Sequence, residues 1–318
     1  MTEKLKKRIP SFVLLIFMGV LTLLFFVLPK EEYSSSEKRQ LEEFPQFSWS
    51  SLMDGSLGSS IETYLSDHFP GRKFFVGLNA YYELYTGRNG TSGIYCGSDD
   101  YLISTPVEYD AASTAKNASR FRDFAEGTGL PAHFLLVPST GYTMSNKLPA
   151  VHAPYHDDEI FETAQENLGD VTLIDLRETF RENRDDIQLY YKTDHHLTTE
   201  GAYLMYTAFC EAAGLTPYTD YEKETVSGFY GTTYSRSGLW FTPPDDISIW
   251  QNRNGPYRVT IEDAGKEPVV QDSLFFTEHL QEDDKYPVFL DGNHSFVKIE
   301  NQSAPGGKIL VIKDSFAH

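Results

Sequence analysis

Residues Ser11 to Leu28 carry no charge and consist mostly of Leu, Phe, Ile and Val, and nothing else in the chain so narrows what it can fold into. A run of this length is at the short end of the roughly 17–25 apolar residues that cross a bilayer as a helix. Lys4, Lys6, Lys7 and Arg8 stand before it. Two readings compete, a cleaved secretory signal and an uncleaved anchor. A signal has an apolar region of about 7–15 residues closed by a small-residue cleavage site, and Val27-Leu28-Pro29-Lys30 offers no such site. The run reads as an anchor over 11–28. Because basic flanks stay in the cytoplasm, segment 1–10 is expected inside and the rest of the chain outside. Residues 29–60 mix charge with Ser, Pro and Gly and read as a linker, leaving 61–318 as the main domain.

With 318 residues, 40% of them hydrophobic, the chain can bury a full core. Its formal charge is −19, and the basic start makes the remainder more acidic still. That balance argues against a nucleic-acid partner and is otherwise what keeps an exposed surface soluble. Cys96 and Cys210 are too few for a disulfide framework. An exported location permits one bridge between them, and a buried free thiol at Cys210, on the apolar face of a helical pattern, is an equal reading.

Along the chain, Ile61, Tyr64, Leu65 and His68 share one helix face that Pro70-Gly71 breaks. Asp67, His68 and Arg72 around that helix end read as a fixed polar corner rather than a site. Gly93-Ile94-Tyr95 and Asp100-Tyr101-Leu102-Ile103 read as a hairpin. A helix from Asp110 ends at Gly127-Thr128-Gly129 and leads to an apolar strand, Ala132 to Val137; a second helix, Asp158 to Leu168, leads to a second strand, Val171 to Leu176. A third apolar run, Lys308 to Ile312, comes near the end. Helices alternating with strands apolar on both faces predict an α/β domain with a central, mostly parallel sheet flanked by helices. Residues 216–258, rich in Gly, Ser, Thr, Pro and aromatics, read as a lid or binding loop, or as a loop with aromatics packed beneath it.

The chemistry is expected in Tyr190 to Gly201, where Asp194, His195 and His196 precede a helix capped by Thr198 and apolar at Ala202, Tyr206, Phe209, Cys210 and Ala213. In an extended segment side chains alternate, so Asp194 and His196 point one way and His195 the other. His196 at this junction is either a hydrogen-bonded structural residue or a catalytic base. A base needs a carboxylate to fix its tautomer, which Asp194 supplies, and a nucleophile to deprotonate. Ser315 is placed for that role just past the run Lys308-Ile309-Leu310-Val311-Ile312, where its backbone N–H can also face an oxyanion. A metal-dependent phosphoester site is the third reading of Asp-His-His. Diverging imidazoles and the lack of further Asp/His motifs count against it, so neither metal nor cofactor is expected.

Asp194-His195-His196-Leu197-Thr198 resembles the signature of the DHHW proteins, relatives of the SGNH-hydrolase-like alginate O-acetyltransferases of bacterial cell envelopes. The resemblance extends over Asp67-His68-Phe69-Pro70-x-Arg72, Gly201-Ala202-Tyr203, the Gly231-Thr232 loop and Lys313-Asp314-Ser315-Phe316, with Leu197 where the signature has Trp. It implies an SGNH-like domain in which Ser315 is nucleophile, His196 general base and acid, and Asp194 the orienting carboxylate. Asn293, in Asp291-Gly292-Asn293-His294, matches the oxyanion-hole Asn. The implied activity is acyl transfer to a polysaccharide acceptor through an acetyl-serine, beside a multi-spanning membrane O-acyltransferase. A catalytically silent polysaccharide-binding protein of the same fold is the alternative, motivated by Leu197. In such a domain a helix normally follows the nucleophile, so a chain stopping at His318 is expected to be truncated at its C-terminus.

Overall fold

A computed structural model describes residues 3–34, 37–301, 303 and 306–317, and side chains from residue 8 onward. The first two residues of the expected basic segment, the side chains of Lys4, Lys6 and Lys7, and His318 lie outside what is described. The chain divides into two compact units, Met1–Tyr82 and Glu83–His318.

In the first unit, helix α1 (Glu3–Val27) contains the stretch Arg8–Val27, which by length and mean hydropathy of 2.6 can cross a membrane. A two-residue hairpin, β1 (Tyr33–Ser34) and β2 (Arg39–Gln40), follows, then α2 (Trp49–Met53), α3 (Ser56–Asp67) and α4 (Arg72–Tyr85). The polar corner is a structural knot. Asp67, almost fully buried, accepts from Arg39 Nη1 (3.0 Å) and Nη2 (2.5 Å) and from the Glu42 N–H (2.9 Å). Arg72 Nε donates to Glu37 Oε1 (2.8 Å), and the His68 Nε2–H donates to the Glu42 carbonyl (3.0 Å). Buried carboxylates survive when each oxygen is paired and hydrogen-bonded, and here that pairing ties residues 37–42 to the end of α3.

The second unit is mixed α/β, built on small sheets. β3 (Gly90–Thr91), β4 (Ile94–Cys96) and β5 (Leu102–Ser104) form an antiparallel meander that includes the expected hairpin. Helix α5 (Ala111–Thr128) is capped by Asp110, whose carboxylate accepts from Ala112 N and Ser113 N, and it ends at Gly129 with φ 65°. A residue with a Cβ rarely adopts that conformation, which is why Gly closes the helix. Strands β6 (His133–Leu136) and β7 (Thr172–Asp175) pair in parallel, linked through α6 (Asp157–Asn167). Ala118, Ala125 and Ala164 let α5 and α6 approach closely over Leu168 and Val171. Helix α7 (Thr199–Ala212) begins at the expected cap, Thr198, whose Oγ1 accepts from Gly201 N. Cys96 and Cys210 are both free thiols.

Two expectations are corrected. Among the described residues β6–β7 is the one parallel pair, and no central parallel sheet forms. Lys308–Ile312 lies in no strand, with Ile309, Leu310, Val311 and Ile312 all more than 60% exposed. An apolar run states that burial is favourable; it does not supply the free strand edge, in register, that a ladder requires. Residues 216–258 are not a plain loop. They contain β8 (Tyr221–Phe229) and β9 (Asp245–Asn252), a long antiparallel pair, with α8 (Thr232–Ser237) between them. Alternate burial of Asp245, Ile247 and Ile249 along β9 is the period-two signal that the Gly- and Ser-rich flanks obscure. A third sheet, β10 (Tyr257–Glu262) between β11 (Val269–Gln271) and β12 (Phe296–Asn301), precedes the C-terminal segment.

Candidate active site

The bridge Tyr190↔Leu197 pinches residues 191–196 into a tight loop, reinforced by Tyr191 N–H donating to the His196 carbonyl (3.2 Å). Asp245 at the start of β9 holds the loop from beneath: its Oδ1 accepts from Lys192 N (3.0 Å) and Gln188 Nε2 (2.9 Å), its Oδ2 from Thr193 N (2.7 Å) and Thr193 Oγ1 (2.6 Å). The loop is bent rather than extended, so strand alternation does not apply. The imidazoles of His195 and His196 do not diverge; their centroids are 3.9 Å apart.

Asp194 and His196 are both buried. Asp194 Oδ1 accepts from the His196 backbone N–H (2.9 Å) and from its Nδ1–H (2.5 Å). Oδ2 accepts from Thr232 N (2.5 Å) and Thr232 Oγ1 (2.9 Å) at the start of α8. With Nδ1 carrying the proton, His196 Nε2 accepts from Ser315 Oγ–H at 2.7 Å. Three residues spread over more than a hundred positions thus form one hydrogen-bonded line. Ser315 opens a 3₁₀ turn (Ser315–Ala317), held by Phe316 N–H donating to Asp314 Oδ1 (2.9 Å).

Burial alone would raise the Asp194 pKa. The hydrogen bond from His196, the positive charge that His196 and His195 can carry, and the Thr232 N–H override it and hold the carboxyl well below the usual range. His195 is pushed below the ordinary imidazole value, first by burial and then by the neighbouring His196 and Arg236, partly offset by Asp194. Its Nδ1–H donates to Thr232 Oγ1 (2.7 Å), making it a brace for the threonine that braces Asp194.

Several contributors are given no role by the sequence, although the Gly231-Thr232 loop and Phe316 belong to stretches that resemble the DHHW proteins. Tyr286 stacks on His196 (4.3 Å, 16°) and donates its hydroxyl to the Ser315 carbonyl (3.2 Å), while Phe316 packs at 5.2 Å from the same imidazole. Gly231 is required by space: a Cβ there would overlap the Cβ and carboxylate of Asp194. Gly231→Ala is expected to push Asp194 off His196, cutting turnover at least about 100-fold and costing about 1–3 kcal/mol of stability. Kinetics and thermal unfolding of the purified variant check both numbers. Leu197 is buried in the core with Tyr190, Phe180 and Leu189. Asn293 is exposed in the turn after Gly292, where its neighbour His294 is tied to Asp263 (3.0 Å).

Asp194, His195 and His196 also bring one potential ligand atom each within 4.8 Å of one another. For a cation to use them, His196 has to surrender its bond to Asp194 or to Ser315, since both ring nitrogens are engaged. A cavity of about 640 Å³ in the same unit is lined by Glu83, Arg88, Asn89, Tyr95 and His152 among others, and by none of Asp194, His196 or Ser315.

The sequence pattern of the family described as DHHW protein matches residues 37–95 and 159–318, more than half of the chain. The chain belongs to the DHHW family. Among solved structures, a DHHW family protein from Eubacterium siraeum is similar at TM-score 0.55 and 23% identity, over 67% of this chain and 72% of that one. Bacillus cereus PatB1 carrying a sulfonyl adduct is similar at TM-score 0.56 and 21% identity, over 66% and 74% of the two chains. The O-acetyltransferase domain of Pseudomonas putida AlgJ is more distant, at TM-score 0.40, 20% identity and 52% and 67% coverage. No curated protein sequence matches. All three Asp-His-His residues of the DHHW signature and Ser315 fall in the second matched stretch.

Proposed function

We propose that this DHHW protein is a membrane-anchored, extracytoplasmic O-acyltransferase or esterase acting on a cell-envelope polysaccharide through an acyl-serine. The observation that carries the reading is the line Asp194–His196–Ser315, with a proton on Nδ1 and a lone pair of Nε2 facing the serine hydroxyl. Ser315 Oγ attacks the carbonyl carbon of the acyl donor while its proton passes to His196 Nε2. The Ser315 backbone N–H donates to the tetrahedral oxyanion, and the family resemblance implies the Asn293 amide as a second donor, which its exposed turn would have to bring to Ser315. The donor oxygen departs with the proton from His196. In the second half a sugar hydroxyl gives its proton to Nε2 and attacks the acyl carbon, and Ser315 leaves, regaining a proton from His196. Water in place of the sugar gives hydrolysis.

Helix α1 supports the anchor by its length and hydropathy. Arg8 and the lysines before it favour a cytoplasmic N-terminus, and a multi-spanning membrane O-acyltransferase then delivers the acyl group to the outer face. Commitment of both His196 nitrogens to Asp194 and Ser315 favours proton transfer over metal binding, and Leu197, buried in the core, leaves the Asp194–His196–Ser315 line intact, which favours catalysis over silent binding. Treating the full chain with methanesulfonyl fluoride should add one sulfonyl group, located on Ser315 by peptide mass spectrometry. Modification elsewhere, or a stoichiometric metal ion that blocks it, overturns the reading.

A further inference from the structure

The first unit carries exposed apolar side chains where a soluble surface would not place them. Phe44 (66%), Phe47 (60%), Trp49 (74%), Leu52 (47%) and Met53 (84%) all face solvent. Trp49, Leu52 and Met53 stand at i, i+3 and i+4, one side of the short helix α2. Phe47 packs edge-on against Trp49 at 5.3 Å.

The depth of Phe44 relative to α1 follows from contacts within the unit. Phe25 is two residues before Val27, about 3 Å along the axis from the end of the apolar stretch. Its ring meets Tyr64 of α3 at 6.2 Å, and Tyr64 meets Phe44 at 5.2 Å. Lys30 folds back over the Phe25 ring (3.6 Å) and donates to the Phe25 carbonyl (2.5 Å), placing an ammonium where a lysine leaves the hydrocarbon for the headgroups. If α1 spans the bilayer, Tyr64 and Phe44 stand at the level of its last turn, the depth at which aromatic residues collect at membrane interfaces.

We infer that Phe44, Phe47, Trp49, Leu52 and Met53, with Tyr64, form a collar inserted into the outer interface of the bilayer. The inference rests on reading α1 as a membrane span. Its occupant is lipid: Phe44 is continuous with the span through Tyr64 and Phe25, and Phe47 and Trp49, themselves in contact, follow it by three and five residues in the chain. Glu42, Glu43 and Asp54 stand in and beside the segment, so insertion is driven by apolar burial and needs no anionic headgroup.

The test uses the full chain in phosphatidylcholine nanodiscs at one chain per disc, read by tryptophan fluorescence with acyl chains brominated near the glycerol end or near the methyl end. Shallow bromine is expected to quench about twofold more than deep bromine, and Trp49→Phe, which leaves Trp240 and Trp250, should abolish the difference. The pair Phe47→Asp and Met53→Asp should reduce quenching of Trp49 while salt leaves it unchanged. Equal quenching of the parent chain and Trp49→Phe shows that Trp49 does not meet lipid and overturns the collar. Release of the chain by alkaline carbonate overturns the span itself, and the two failures are distinct.

Discussion

Replacing Ser315 by Ala is expected to lower turnover of a chromogenic acetyl ester by about 10⁴-fold or more, because the nucleophile of a triad acts as part of a unit. The structural cost is small. The Ser315 side chain makes one hydrogen bond, to His196, and losing it costs about 1 kcal/mol of stability. Large loss of turnover with a nearly unchanged unfolding midpoint identifies Ser315 as chemical rather than architectural. A fall of less than tenfold removes the serine from the mechanism.

Asp194→Asn is expected to reduce kcat by a comparable factor, about 10⁴-fold, and also to destabilise the second unit by about 3 kcal/mol. The asparagine NH2 replaces one of the two carboxylate oxygens, so its N–H groups face one pair of donors that now meet an acceptor, either His196 N and Nδ1 or Thr232 N and Oγ1. It also favours the tautomer with the proton on Nε2, which leaves Ser315 without a base. The pH dependence has a definite sign. The folded pKa of Asp194 is depressed, so its contribution to stability is fully present above the unfolded value of about 3.9 and is lost as pH falls below that toward the folded value. The gap in unfolding midpoint between the parent chain and Asp194→Asn should therefore be constant from about pH 5 to neutrality and should narrow below about pH 4. A gap that widens in acid contradicts a buried, ionised Asp194.

Much of the fold was readable locally. The apolar helix around Ser11–Leu28, the helix start at Asp110, the stop at Gly129, the hairpin around Cys96–Asp100 and the cap at Thr198 all depend on neighbours in sequence, and each is where local chemistry puts it. The expected central sheet failed at Lys308–Ile312, because strand pairing depends on an edge supplied from elsewhere. The long pair β8–β9 was hidden for a related reason: only β9 shows clear alternation, and β8 takes its conformation from its partner.

For the site, the sequence by itself determined the residue types, Asp194 and His196 two apart before a capped helix and Ser315 after an apolar run. Only the tertiary structure decided that they meet, that His195 packs against His196 rather than pointing away, and that Thr232, Gly231, Asp245 and Tyr286 hold the arrangement. The reason is physical. Capping, periodicity and turn preference act over a few residues and leave a trace in sequence, whereas the approach of Gly231 to Asp194 or the stacking of Tyr286 on His196 is created when distant segments pack.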